Sequence, residues 1–191
     1  MPEKKNIRLN KFLSNLIFKP KPIKLGDIIL VPLSEKYLDF YHQLYSAPET
    51  VRYQRVIRCA NKKQSLAQLK SRLNRWRKGR AFYYVVMYKN KKVGGFSINR
   101  INYSKRYFSL GFVITKKFWG RGIATKLVNR FVKYAGRELK PKTIKANCMA
   151  NNQAVQKVLA KAGFNKVYTR RKGAKIRNKW HDVYYYRCQK L

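Results

Sequence analysis

Negative charge is almost missing from this chain. Its 191 residues hold 7 Asp and Glu against 46 Lys and Arg, a formal net charge of +39. The acids are Glu3, Asp27, Glu35, Asp39, Glu49, Glu138 and Asp182, so residues 50–137 carry none. Such a surface repels itself and attracts polyanions, of which nucleic acid is the expected one. Cysteine is also scarce. Cys59, Cys148 and Cys188 are odd in number, far apart and in no metal-ligand spacing. With no secretory signal peptide, they read as reduced thiols of a cytosol-like compartment, which excludes a disulfide scaffold and gives no metal site. Long apolar runs are missing too. The longest clear one, Ala81–Tyr88, falls far short of the ~18 residues of a membrane span and suits a buried strand. Hydrophobic residues at 45% and aromatics at 14% nevertheless exclude a disordered basic protein. At this length they supply the core of one domain.

The chain divides into a basic N-terminal extension, residues 1–24, and a domain over 25–191. In the extension, Ile7, Phe12, Leu13, Leu16 and Ile17 can share a helix face among Lys4, Lys5, Arg8, Lys11 and Lys19. The run Lys19-Pro20-Lys21-Pro22 ends any such helix. The segment suits a nucleic-acid arm, a helix docked on a partner, or a presequence that would direct the chain to the mitochondrial matrix. Glu3 and the scarcity of Ser favour the arm and a cytoplasmic chain.

Within the domain, residues 27–33 read as a strand, and Ser34 caps a helix to about Tyr45 that Ala47-Pro48-Glu49 breaks. A second helix is expected from Ser65, with Leu66, Leu69, Leu73 and Trp76 marking its apolar face. Its other face carries Lys70, Arg72, Arg75, Arg77 and Lys78, a phosphate-binding ridge. Strands follow at 81–88, 91–99, 107–114 and 143–149, then a helix over 152–162 stopped by Gly163. Two last strands, 164–171 and 182–188, flank a basic loop bearing Arg170, Arg171, Lys172, Lys175, Arg177 and Lys179, a second nucleic-acid contact.

Between the strand at 107–114 and the helix that follows lies Phe118-Trp119-Gly120-Arg121-Gly122-Ile123-Ala124-Thr125. Two glycines and a small residue permit a tight turn and close approach of a ligand. Ile123, Ala124, Leu127, Val128, Phe131, Val132 and Ala135 then recur at about four-residue spacing. Strand, glycine turn and helix aim free N–H groups and a helix dipole at a phosphate, so this stretch reads as a pyrophosphate cradle.

The order β-α-α-β-β-β-α-β-α-β-β and four segments resemble the GNAT acyltransferases, specifically the RimJ/RimL branch that acetylates ribosomal-protein N-termini. The segments are Ile28-Ile29-Leu30-Val31-Pro32-Leu33, Leu44-Tyr45-Ser46-Ala47-Pro48-Glu49-Thr50-Val51-Arg52-Tyr53, Leu110-Gly111-Phe112-Val113-Ile114 with the glycine turn, and Asn152-Gln153-Ala154-Val155 running on to Gly163-Phe164. The resemblance implies an α/β (α+β) GNAT fold: a mixed, mostly antiparallel sheet, splayed at the acetyl-CoA site and flanked by helices. It implies acetyl-CoA as co-substrate and no metal. Backbone amides of Gly120, Arg121, Gly122, Ile123, Ala124 and Thr125 would hold the pyrophosphate. Backbone of Phe112, Val113 and Ile114 would pair with the pantetheine arm, and Asn152 would touch the cofactor.

The chain departs from the family where proton handlers are expected: Ser109 replaces an acid, Val155 a Ser and Lys126 a Glu, and Val31 replaces an Arg of the first strand. Tyr107, Tyr134 and Asp182, with Cys148 and His181, are the substitutes by proximity to the motif strands. The expected function is acetyl-CoA-dependent N-acetylation of an amine on an RNA- or ribosome-associated substrate, such as a ribosomal-protein N-terminus. Two alternatives are acetylation of aminoacyl-tRNA and a catalytically impaired GNAT fold serving as a basic rRNA-binding module.

Overall fold

β-Branched and aromatic residues set out the strands. In β3 (Ala81–Tyr88), Phe82, Tyr84 and Val86 enter one apolar cluster while Tyr83, Val85 and Met87 turn to another. The computed structural model describes residues 20–56 and 58–189, so the expected amphipathic arm, on residues 1–19, lies outside the described residues. β1 (Ile23–Leu25) and β2 (Ile28–Pro32) form a hairpin about Gly26, whose φ of 68° is the left-handed conformation glycine tolerates. The sheet thus begins at Ile23, inside the segment read as extension. β4 (Lys91–Asn102), β5 (Tyr107–Ile114), β6 (Thr143–Met149), β7 (Asn165–Ile176) and β8 (Lys179–Cys188) complete it. The order is β1-β2-β3-β4-β5-β6-β8-β7, with every neighbouring pair antiparallel except β5 and β6.

Helices cover both faces. α1 (Leu38–Ser46), α2 (Pro48–Val51) and α3 (Lys62–Arg77) pack on one side through Phe40, Leu44, Val51 and Leu69 against Val85 and Val113. α4 (Ile123–Tyr134) and α5 (Gln153–Lys161) pack on the other, where Phe131 meets Phe96 at 4.5 Å and Phe108 at 6.2 Å between ring centroids. Buried phenylalanines of this kind contribute about 1.5–3 kcal/mol each.

Three local expectations change. Ser34 does not cap a helix: a 3-10 turn, Glu35–Tyr37, intervenes, and the Ser34 hydroxyl is buried without a partner. α3 starts at Lys62 because Asn61 Oδ1 accepts from the Gln64 amide at 2.9 Å, while Ser65 is buried against His42 Nδ1 at 2.9 Å. The basic segment at 170–179 is a long hairpin rather than a loop. β7 and β8 close at Arg177-Asn178, with φ of 46° and 64°, the primed turn that suits strand twist. A register irregularity between Arg170 and Ala174 interrupts the ladder.

Candidate active site

The two parallel strands at the centre of the sheet separate. β5 and β6 pair only at Tyr107–Thr143, Phe108–Ile144 and Ser109–Lys145; beyond that, β6 pairs with β8 alone and β5 with β4 alone. A wedge opens beside residues 110–114. Thr115 N donates to Val93 O at 2.9 Å, so strand alternation turns the Val113 backbone towards β4 and those of Phe112 and Ile114 towards the opening. The expectation that all three residues offer backbone to a ligand is therefore corrected for Val113. Ile114 is also only half available, because the Trp119 indole Nε1 donates to its carbonyl at 2.7 Å.

At the mouth of the wedge stands the glycine turn. Gly120 and Gly122 have φ of 74° and 70°, and a Cβ placed on either would meet nothing within 4 Å. These glycines leave an open space beside a backbone that L-side chains rarely adopt. Gly122 is the N-cap of α4 and carries no capping side chain. Among the described residues, the backbone N–H groups of residues 120–125 find no acceptor. Unsatisfied amides at a helix start, flanked by open space, fit an anionic phosphate. Gly120, Gly122, Ile123, Ala124 and Thr125 line the cleft. The Arg121 side chain lies outside it, exposed and over the Phe118 ring at 5.6 Å. Asn152 lines the cleft too, but its Oδ1 accepts from Val155 N at 3.2 Å and caps α5, which leaves its amide NH2 for a ligand.

The cleft, about 840 Å³, continues past the wedge to a second end. Its floor includes Gly95, Ser97, Asn99 and Gly111; α1 and α3 wall it with Tyr41, Tyr45 and Arg72; Tyr53 and Arg55 also line it. Gly95 keeps this end open, since a Cβ there would lie 3.6 Å from the Tyr45 hydroxyl and 3.4 Å from Val113 Cγ1. Burial raises the Tyr41 phenol well above its usual range, and its hydroxyl donates to Gln68 Oε1 at 2.6 Å. Cys148 also lines the cleft, and burial pushes its thiol up to about 11, so it is protonated at neutral pH.

None of the three catalytic substitutes lines this cleft. Tyr107 sits at the closed end of the β5–β6 pair, with Lys145 Nζ 3.4 Å above its ring. Tyr134 ends α4 in the core cluster, and burial raises its phenol to about 12. Asp182 is exposed and accepts from Lys172 N at 2.8 Å, while its carbonyl accepts from Ala150 N at 2.9 Å. That carboxylate braces the irregular stretch of β7, away from the cleft lining.

The expected phosphate-binding ridge splits. Lys70, Arg77 and Lys78 are exposed on α3 and its C-cap, and Arg75 is exposed at the rim of the cleft. Arg72 leaves the ridge for the interior. Its guanidinium lies over the rings of Tyr45 at 4.3 Å, Tyr41 at 5.1 Å and Tyr83 at 5.2 Å, and donates to the Tyr45 hydroxyl at 2.6 Å. Burial would lower its pKa, but the phenols of Tyr45, Tyr41 and Tyr83 outweigh that, so it stays charged. The sequence did carry the signal: Arg72 is three residues after Leu69 and four before Trp76, on the apolar stripe itself. In the hairpin, Arg170, Arg171, Lys172, Lys175, Arg177 and Lys179 are all exposed, with Tyr168 and Trp180 more than half exposed among them. Among the described residues, no group of His, Cys, Asp or Glu is arranged to hold a metal ion, and no helix is long and apolar enough to cross a membrane.

Known proteins share this architecture. The structure resembles RimL, the ribosomal L7/L12 alpha-N-protein acetyltransferase solved with coenzyme A, at a TM-score of 0.80 and 18% identity over 87% of this chain and 97% of that one. It also resembles the microcin C7 self-immunity acetyltransferase MccE, solved with acetyl-CoA and AMP, at 0.79 and 20% identity over 90% and 98% of the two chains. In sequence, 73 residues are 41% identical to YjcK of Bacillus subtilis, named a probable N-acetyltransferase, covering 38% of this chain and 40% of YjcK. A further 101-residue match, 26% identical, is to YdaF of the same organism, named as a candidate ribosomal N-acetyltransferase, covering 53% and 55%. The chain therefore spans about half the length of the curated relatives it matches. The family model described as the acetyltransferase (GNAT) domain matches residues 27–165, well over half the chain, and the protein belongs to that family.

Proposed function

We propose that the protein is an acetyl-CoA-dependent N-acetyltransferase acting on an amine of a ribosome- or RNA-associated substrate, such as a ribosomal-protein N-terminus. The observation that carries this reading is the parting of β5 and β6 directly beside the unsatisfied amides of residues 120–125. Those amides would hold the pyrophosphate, the outward backbone of Phe112 the pantetheine arm, and the Asn152 amide group the region near the thioester. Acetyl-CoA supplies the activated acetyl group. This chain supplies position: an amine over Gly95, Ser97 and Gly111 meets the open side of β5. Four arginines and one acid, Glu49, line the cleft, and that positive field favours the neutral, nucleophilic amine. The exposed cations of α3 and of the β7–β8 hairpin support an RNA-bearing setting, as does the RimL neighbour, described as acting on L7/L12.

The direct test is transfer from labelled acetyl-CoA to N-terminal peptides of ribosomal proteins and to ribosomal particles. Labelled product supports the reading; acetyl-CoA that neither binds nor raises the melting temperature would remove it. A second reading, a GNAT fold kept as a basic RNA-binding module, is favoured by the positions of Tyr107, Tyr134 and Asp182 outside the cleft. It expects RNA affinity without acetyl-CoA affinity.

A further inference from the structure

Arg72 places a permanent positive charge in the wall of the cleft, with no ion-pair partner among the described residues. Its only polar partner among the described residues is the Tyr45 hydroxyl; otherwise it meets ring faces. A guanidinium has more N–H donors than one phenol can accept, so the remaining donors of this half-buried side chain are open to a ligand in the cleft. Among the described residues, no acid forms an ion pair with it. Asp27 is engaged by Arg130 and Lys126, Asp39 by Lys62 and Asp182 by the Lys172 amide, while Glu35 lines a separate outer groove. Glu138 lies beside Tyr134 at the far end of α4, and Glu49 is the one acid lining the cleft.

Three further arginines line the same cleft. Arg75 follows Arg72 along α3 to the rim. Arg100 lines the cleft from a register irregularity in β4, between Asn99 and Asn102, with its own φ at 49°. Such a bulge re-aims a side chain at a backbone cost that regular pairing would not carry. Arg55 enters from the segment after α2, where it donates to Gly173 O at 3.3 Å and hydrogen-bonds the Tyr185 phenol. Tyr45 ties this charge to the reaction floor, since its hydroxyl lies 3.6 Å from the Cβ position of Gly95.

We propose that the acceptor carries a carboxylate or phosphate a few bonds from its reacting amine, and that Arg72, with Arg55, Arg75 and Arg100 at the rim, receives that anion. The planar fork of a guanidinium matches either group in two parallel hydrogen bonds, which an uncharged amide cannot reproduce. The proposal rests on the acetyltransferase reading and narrows it to anionic acceptors. In this arrangement Arg72 sets specificity and takes no part in proton transfer.

The test uses the full chain, labelled acetyl-CoA and three peptides identical except at the second residue, which is Asp, Asn or phosphoserine. Transfer to the Asp or the phosphoserine peptide should exceed transfer to the Asn peptide by roughly tenfold or more in kcat/KM. Whichever anion leads names its source. Arg72→Gln should erase the preference with acetyl-CoA affinity unchanged, and Arg72→Lys should restore part of it. Should Arg72→Gln fail to fold, the wild-type comparison still decides, and Arg100→Gln should reduce the preference. Equal use of the Asn peptide overturns the anion site and leaves the acetyltransferase reading standing, as does a preference that survives Arg72→Gln in a folded protein. Absence of both acetyl-CoA binding and transfer overturns both.

Discussion

The two ends of the cleft are built from different material. At the wedge, contacts are offered by backbone: the outward groups of Phe112 and the open amides of residues 120–125, freed by two left-handed glycines. At the far end, side chains do the shaping: a half-buried arginine among three tyrosines, with more arginines lining the cleft. The first end needs only that the main chain go the right way, and it tolerates change in most side chains. The second depends on particular residues, so a chain can keep a common donor site while its acceptor site becomes its own. Charge divides the same way, since the wedge uses dipoles where the far end uses whole charges.

The largest expected effect attacks the backbone end. Gly122→Glu puts a side chain at φ 70° and a carboxylate among the amides, and acetyl-CoA affinity should fall by roughly two orders of magnitude in calorimetry. Circular dichroism and melting should show an intact fold. A smaller effect, confined to the other end, is expected of Tyr45→Phe. Loss of the phenol that Arg72 bonds should lower kcat/KM for the acceptor by roughly tenfold and leave acetyl-CoA affinity unchanged. If Tyr45→Phe weakened acetyl-CoA binding as much as transfer, the two ends would not be separable.

Smaller again, and outside the cleft, Arg171→Glu, Lys175→Glu and Lys179→Glu together should weaken RNA binding roughly fivefold at about 0.1 M salt and flatten its salt dependence. Filter binding across a salt series checks both, with acetyl-CoA titration as the control. The smallest effect concerns Asp27, which joins the β1–β2 hairpin to Arg130 and Lys126 of α4. The Arg130 hydrogen bond, with the charges of Arg130 and Lys126, holds its carboxyl below the ordinary 3.8. A depressed carboxylate stabilises the fold above its unfolded pKa and loses that contribution as pH falls through the folded one. Asp27→Asn should therefore lower the melting temperature slightly at pH 7, with the difference fading below about pH 4.

Legibility in the sequence followed the same division. The glycine turn and the helix ending at Gly163 could be read directly, because positive φ, small residues and caps act through local backbone. The mixed, mostly antiparallel sheet was legible through the family resemblance that these elements carry, while the order of its strands was seen only in the structure. Arg72 was hidden by its charge: it shares a stripe with Leu69 and Trp76, yet an arginine there reads as solvated until three tyrosines from α1 and β3 are seen to surround it. Tyr107, Tyr134 and Asp182 misled through nearness in sequence to the motif strands, since a strand's two ends and a helix's two ends lie far apart in space. The basic hairpin was concealed by its composition, in which cations and Gly173 mask a strand whose turn is marked only by Asn178.

The claim that backbone amides form the donor site is tested most directly by amide hydrogen exchange with and without acetyl-CoA. Protection should appear at residues 120–125 and at Phe112 and be absent from the exposed face of α3. Acetyl-CoA binding that left those amides exchanging at their free rates would contradict it.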